Sequence, residues 1–559
     1  MRCLTCGQKS KLRTRIALIT VKPNIVSSHY THQQSINNRH EHSQTTPNTT
    51  ITMTTKSRRK IVFIHLDLGI GGAEQLIINL ATASLEKNTA VQIYTAHCDQ
   101  THCFDEVRRS SNGILAECVK VRGTFLPDEL YVPIVLKRIG GKALCSSIRM
   151  IYLTICSVLE HCLIMNRNDT DIESTVFVLD VLPTSMPIIS LIKYLFHLSD
   201  VSVLFYCHFP DKLLTRDTVN GEIASGSTSK ERKRMGRLRK LYRWVLDQVE
   251  EYTMTFADLV LVNSCFTRME VQRSFPYFYS KIGSNRSNVD GNDDEQDELL
   301  SVLYPAINLD KFVPPAAASA SLDDSSIGPV VSLNRFERKK NIELLLHAIA
   351  HLKTKLVNAQ TFQKISVIIA GGYDHRNAEN VEYLQELKDL AEELDIAGVV
   401  TFSPSISDEY RATLLQEALC VCYTPHREHF GIVPLEAMYA GSSVIAVNSG
   451  GPMETVLHEA TGMLVEGTSM AFAEALYEMV SDPVRAKKMG MQGHAHVKAK
   501  FGLDVFRQRW RGLVERAVVV SSSTKSQKFG GVGRVKVASL LVLLVAFVVY
   551  CVAQDDSII

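Results

Sequence analysis

The stretch Thr424-Pro425-His426-Arg427-Glu428-His429-Phe430-Gly431-Ile432-Val433-Pro434-Leu435-Glu436 holds the residues with the clearest capacity for chemistry. Glu428 and Glu436 are eight apart, so with the first in a loop and the second in the following helix, one can meet a sugar ring and the other a ribose farther along the same donor. Carboxylates are natural acceptors for vicinal hydroxyls. A plain reading as two surface glutamates is weakened by the Phe430-Gly431 turn and the small residues of Gly450-Gly451-Pro452. Upstream, Arg335 and Lys340 are five apart across a strand-to-helix turn and can set a planar fork and a point charge on one diphosphate. Asp67-Leu68-Gly69-Ile70-Gly71-Gly72-Ala73-Glu74 runs into a helical pattern, where glycines let the backbone turn sharply and let an anion approach a helix N-terminus. The stretch departs from the dinucleotide G-x-G-x-x-G pattern, and no acidic residue ends the second strand, so a nicotinamide enzyme fits poorly.

Such groups converge only if strands deliver them to one edge. Apolar runs bounded by turn residues alternate with segments of helical period, which predicts βα units, parallel sheets and an α/β class. Strands are expected at 61–66, 91–95, 176–179, 201–206 and 259–262, then at 330–333, 366–370, 399–402, 420–423, 444–447 and 462–465. The chemical stretches then lie at carboxyl ends of strands, where α/β proteins bind ligands. An acidic insert at 290–298 and an Ala/Ser/Pro stretch at 314–326 have linker character. The expected division is a Rossmann-like domain over 59–312, a linker at 313–328, a second Rossmann-like domain over 329–500 and a closing helix at 501–520, with a cleft between the domains.

The 559 residues carry 61 Lys+Arg against 59 Asp+Glu, a formal charge of +2, so there is no basic footprint for nucleic acid. Of the 13 Cys only Cys3 and Cys6 have C-x-x-C spacing, and no second pair completes a zinc site, so reduced and mostly buried thiols are expected. Residues 1–58 contain one acidic side chain, Glu41, and no apolar period. That segment is expected to be disordered, with a transit peptide and a spurious start upstream of Met53 both open. Residues 537–553 form a run of 17 without a charge, expected as a transmembrane helix after a linker at 521–536. As a helix it spans roughly 26 Å. Lys525, Lys528, Arg534 and Lys536 precede it and Asp555 and Asp556 follow, which keeps the body cytosolic and leaves the sequons at Asn48, Asn168 and Asn285 unglycosylated. Two segments stay open: 143–165 as a core or membrane-surface helix, and 230–243, with eight Lys/Arg, as a solvated face or a contact with anionic headgroups.

The E-x7-E spacing, the Arg335/Lys340 turn and the first glycine loop together resemble the retaining GT-B glycosyltransferases of family 4. Gly71-Gly72-Ala73-Glu74, Phe205-Tyr206-Cys207-His208-Phe209-Pro210-Asp211, Asp247-Gln248-Val249-Glu250-Glu251-Tyr252-Thr253, Val262-Asn263-Ser264 and Leu303-Tyr304-Pro305 resemble, within it, the dolichol-pathway mannosyltransferases that add the second and third mannoses to the lipid-linked oligosaccharide. The similarity covers roughly residues 59–515. It implies a GDP-mannose donor, a dolichyl-diphosphate-linked Man-GlcNAc2 acceptor, and α1,3 then α1,6 transfer at the cytosolic face of the endoplasmic reticulum membrane, with other dolichol-pathway transferases as possible partners. Carried over by position, Arg335 and Lys340 would hold the diphosphate, Glu436 the ribose and Glu428 the transferred mannose. The Phe430, Gly431 and Ile432 backbone would lie near the donor, and Gly71 and Gly72 would close over the phosphate and acceptor region. His208 matches the family histidine facing the reacting sugar, although a histidine after an aromatic strand is, by itself, more often packed core. The resemblance implies no metal and no cofactor beyond the donor, because the Arg/Lys pair substitutes for a cation.

Two other readings stand beside this one: a family 4 transferase with a different nucleotide sugar or a phosphatidylinositol acceptor, and an inactive membrane-tethered scaffold. E-x7-E does not encode the sugar, but every matched position keeps a competent side chain. For the tail, truncation after Val520 is expected to leave a folded protein with weaker membrane retention, measured by flotation. A glycan on Asn48, Asn168 or Asn285 would invert the topology.

Overall fold

The computed structural model describes residues 58–86, 88–126, 142–165, 172–213, 237–283, 299–307, 328–356 and 358–523, all within one unit, Lys56–Ile559. Its central strands read as near-continuous apolar runs, the pattern of a parallel sheet covered on both faces. The first sheet comprises β1 (Arg58–Ile64), β2 (Thr89–Thr95), β3 (Val119–Val121), β4 (Ile172–Asp180), β5 (Val201–Cys207), β6 (Leu259–Val262) and β7 (Leu300–Val302). Its order is β3-β2-β1-β4-β5-β6-β7, with every pair parallel. The second comprises β8 (Val330–Leu333), β9 (Val367–Gly371), β10 (Val400–Pro404), β11 (Cys420–Tyr423), β12 (Ser443–Val447) and β13 (Gly462–Val465), in the order β10-β9-β8-β11-β12-β13 and again all parallel.

In each sheet the chain winds outward one way from its first strand and then the other, so the crevices beside β1/β4 and β8/β11 are the topological switch points where such folds take ligands. The expected strands are present, those at 259–262, 330–333, 420–423 and 462–465 with the bounds given and the rest with shifted ends. β3 and β7, three residues each, lie beyond them because so short an edge strand leaves no period to read.

Helix Lys142–Met165 decides the open reading of 143–165. Ala143–Cys162 is long and apolar enough to cross a membrane, yet Met150, Leu153 and Val158 are buried against Val62, Phe177 and Leu179 of the first sheet, as a core helix requires. In the basic segment, helix Arg237–Met254 begins inside 230–243, and Arg243 serves the protein itself, pairing with Asp211 at 2.8 Å and Asp247 at 3.3 Å. The leader up to residue 57, the three sequons, the two linker-like inserts, and the tail at 537–553 lie outside the described residues. The ten described cysteines are free thiols.

The final described helix, Leu503–Ser523, crosses from the second lobe to the first. It runs three residues into the expected linker because Ser521 is buried, with Oγ donating to Val201 O at 2.9 Å and accepting from Lys193 Nζ. Phe506, Trp510, Leu513, Val514 and Ala517 join the core around Phe63 and Leu80, and Trp510 Nε1 donates to Ser84 Oγ at 2.8 Å. Trp510→Ala is therefore expected to cost about 3–5 kcal/mol in chemical denaturation. An unchanged midpoint would show that the helix end adds nothing to the first lobe.

Candidate active site

In the second lobe the site is assembled at the ends of β8 and β11. The turn after β8 closes as a short 3-10 helix, Arg338–Lys340, stopped by Asn341 at φ 50°, a left-handed conformation that Asn tolerates. Thr424 Oγ1, just past β11, donates to Lys340 O at 2.7 Å and ties the two strand ends together. Lys340 Nζ then lies 2.6 Å from Glu428 Oε2, with side chains 13% and 25% exposed. Burial pushes the Glu428 carboxyl up, but Lys340 beside it prevails and holds it below the usual carboxylate range. Gly431, at φ 78°, turns the loop into helix Ile432–Ala440. Gly450, at φ 68°, lies so close that a Cβ would meet Glu428 O at 2.4 Å, while Gly451 N–H donates to the same oxygen at 2.8 Å. Only glycine fits this contact.

The other expected residues occupy distinct surroundings. Glu436 lies buried in helix Ile432–Ala440 and pairs with Arg411. Arg335 is 63% exposed and pairs with Glu337 at 3.2 Å on its own turn. Phe430 is core, its ring stacked on Tyr304 at 5.8 Å, so only its backbone is available to a ligand. Ile432 is 39% exposed.

In the first lobe, Gly71 caps helix Gly72–Ala83 at the carboxyl end of β1. Neither glycine adopts a left-handed conformation: Gly71 has φ −166° and no positive φ occurs at Gly69, Gly71 or Gly72. The chain nevertheless bends at residues 69–71, and a Cβ on Gly72 would meet nothing within 4 Å, which leaves room at the helix N-terminus. His208 follows β5, 26% exposed, with Nε2 at 3.1 Å from Asp180 Oδ2.

Contacts between the lobes bring these walls together. His429 stacks on Phe209 with centroids 3.6 Å apart and planes at 11°. Ser264 Oγ donates to His429 O at 2.6 Å, and Arg427 Nη2 pairs with Glu270 Oε1 at 3.0 Å. Glu454 crosses from the second lobe to cap helix Cys265–Ser274, accepting from Cys265 N at 2.8 Å, Phe266 N at 2.7 Å and Tyr304 Oη at 3.0 Å. A carboxylate at a helix N-terminus satisfies orphan donors and the helix dipole together. Burial lowers the His429 pKa to about 4, with Lys340, Lys339 and His208 adding to the effect against Glu428, so its ring is neutral at pH 7.

Asp180, His65, His429, Arg411 and Glu454 belong to this site but are not singled out by sequence reading. His429 carried a usable signal, since it adjoins Glu428, and Asp180 ends an apolar strand as its only charged residue after Glu173. The paired acids of the Asp247–Thr253 motif are structural. Glu250 accepts from Asp211 N at 2.9 Å and Lys212 N at 3.3 Å, and Glu251 from Tyr277 N at 2.6 Å. Burial, with Asp211 and Asp247 nearby, raises the Glu250 pKa to about 7.

Comparison with known proteins gives the following similarities. Residues 328–496 match the family described as glycosyl transferases group 1. The chain is 36% identical to alpha-1,3/1,6-mannosyltransferase ALG2 of Homo sapiens over 82% of this chain and 96% of that protein. It is 35% identical to alpha-1,3/1,6-mannosyltransferase ALG2 of Rhizomucor pusillus over 90% of this chain and 100% of that protein. Among solved structures, sucrose-phosphate synthase from Thermosynechococcus elongatus superposes with a TM-score of 0.55 at 20% identity, covering 82% of this chain and 99% of that one. The catalytic domain of starch synthase IV from Arabidopsis thaliana gives 0.52 at 12% identity, covering 83% and 99%. These structural likenesses establish a two-lobed GT-B fold.

Glu454→Ala removes three hydrogen bonds that join the lobes. It is expected to cost about 1–2 kcal/mol and to increase the radius of gyration in small-angle X-ray scattering. If both stay unchanged, Glu454 does not hold the lobes together.

Proposed function

The chain belongs to the alpha-1,3/1,6-mannosyltransferase family, with relatives 36% and 37% identical over 82% of its length, and on that premise we propose how its residues carry out the transfer. The enzyme transfers mannose with retention from GDP-mannose to a dolichyl-diphosphate-linked Man-GlcNAc2 acceptor, making an α1,3 and then an α1,6 linkage. It works at the endoplasmic reticulum membrane with its body on the cytosolic face. The observation that carries this reading is the Lys340–Glu428 pair, 2.6 Å apart between the ends of β8 and β11.

Each residue has a part set by its chemistry. Lys340 and the exposed Arg335 hold the diphosphate, and Glu436 accepts from the ribose hydroxyls. Glu428, kept ionised by Lys340, accepts from mannose hydroxyls. As the glycosidic bond to the diphosphate breaks, negative charge grows on the leaving oxygen, and a preorganised cation stabilises that state more than the ground state. The acceptor hydroxyl attacks the same face, and its proton passes to the departing phosphate oxygen. Retention then needs no protein nucleophile. The two cations replace a metal.

The test is an assay of the purified protein with GDP-mannose and a one-mannose chitobiosyl-diphospho-lipid, its product digested by linkage-specific mannosidases. Two added mannoses are expected; a product that stops at one under saturating donor contradicts the bifunctional reading. Lys340→Ala should lower kcat by about 10²–10³-fold. Glu428→Gln should impair transfer with GDP binding largely kept, whereas Glu436→Ala should weaken GDP binding in calorimetry. Full loss of activity with a chelator would overturn the metal-free mechanism.

A further inference from the structure

Three side chains meet at the carboxyl ends of the adjacent strands β1, β4 and β5. His65 follows β1, Asp180 ends β4 and His208 follows β5. Asp180 is fully buried and takes hydrogen bonds from both rings, from His65 Nδ1 at 2.7 and 2.9 Å and from His208 Nε2 at 3.1 Å. A buried carboxylate is unfavourable unless paired. His65, itself 2% exposed, supplies the pairing, and its Nε2 lies 3.8 Å from Glu74 Oε1. Burial opposes a charge on His65, yet Asp180 and Glu74 outweigh it and hold the imidazole pKa well above its ordinary value.

The backbone is bent to place this carboxylate. Val181, next in the chain, has φ 62°, and Leu182 N–H donates to Asp180 O at 2.6 Å. A β-branched residue holds a positive φ only where its surroundings impose it, and such strain gathers at functional sites. His208 is fixed from its other side, where Asn263 Nδ2 donates to its carbonyl at 2.9 Å. Of the three side chains only His208 reaches solvent to any extent.

We propose that Asp180, backed by His65, is a positioning residue for the transfer: it fixes His208 as the Nε2-protonated tautomer and leaves Nδ1 to accept a hydrogen bond from a hydroxyl of the reacting sugars. An ionised carboxylate can only accept, so the proton between the two groups belongs to Nε2, and a neutral imidazole then has its lone pair on Nδ1. The inference rests on the functional reading above and on the family resemblance by which His208 would face the reacting sugar.

Asp180→Asn tests it, because the side-chain amide can donate to Nε2 and reverse the tautomer. In single-turnover assays of the full-length enzyme, transfer should fall by about 10²-fold, the scale of a misplaced reacting group, with donor KM little changed. In a His208→Ala background the same substitution should add little, since residues acting as a unit are not additive. Equal losses in both backgrounds would mean a purely structural role and overturn the proposal. Nitrogen-15 NMR of histidine-labelled wild-type protein, assigned with His208→Gln, should show a protonated Nε2 and a bare Nδ1; the opposite tautomer would also overturn it. That spectrum decides the matter if Asp180→Asn does not fold. A wild-type protein that transfers no mannose counts against the functional reading, while the spectrum still tests the arrangement without turnover.

Discussion

Parallel strand pairing is the constraint from which the site follows. When every strand of a sheet runs the same way, all carboxyl ends share one edge, and residues far apart in sequence become neighbours there. His65, Asp180 and His208 meet because β1, β4 and β5 are adjacent, although 115 residues separate the first two. Lys340 and Glu428, 88 apart, meet because β8 and β11 are adjacent. The contacts of Phe209 with His429 and of Ser264 with His429 O then set one edge against the other.

Burial makes the charges at this edge interdependent. Glu428 is held ionised by Lys340 and Asp180 by two imidazoles, Glu436 pairs with Arg411, and Glu454 answers backbone donors of the opposite lobe. Removing one member of a buried pair leaves the other uncompensated, a larger penalty than the pair's own net worth. Lys340 is therefore tied to the stability of the fold as well as to the role proposed for it. Glu250 and Glu251 are carboxylates of another kind: they finish helix ends, and their motif is legible in the sequence for reasons of folding.

Much of the fold was legible because buried parallel strands leave apolar runs between turn residues, as at β5 and β11. The edge strands β3 and β7 were too short for that signal. The second-lobe site was legible for the same reason as its strands, since Lys340, Glu428 and Glu436 lie close to strand ends along the chain. Asp180 and Glu454 were not, because Asp180 pairs with His65, 115 residues away, and Glu454 with Cys265, 189 residues away, and linear spacing carries no trace of such contacts. In the first glycine loop Gly72 leaves space without a positive φ, while left-handed turns occur at Gly431 and Gly450.

Residues 427–429 face two ways. Glu428 pairs with Lys340 inside the second lobe, while its neighbours Arg427 and His429 grip Glu270 and Phe209 in the first. The segment that would meet the donor sugar is thus also part of the contact between the lobes, and by linkage any preference of one for a given conformation is felt equally by the other. A substitution in this loop therefore acts on the Lys340 pair and on the contact between the lobes together.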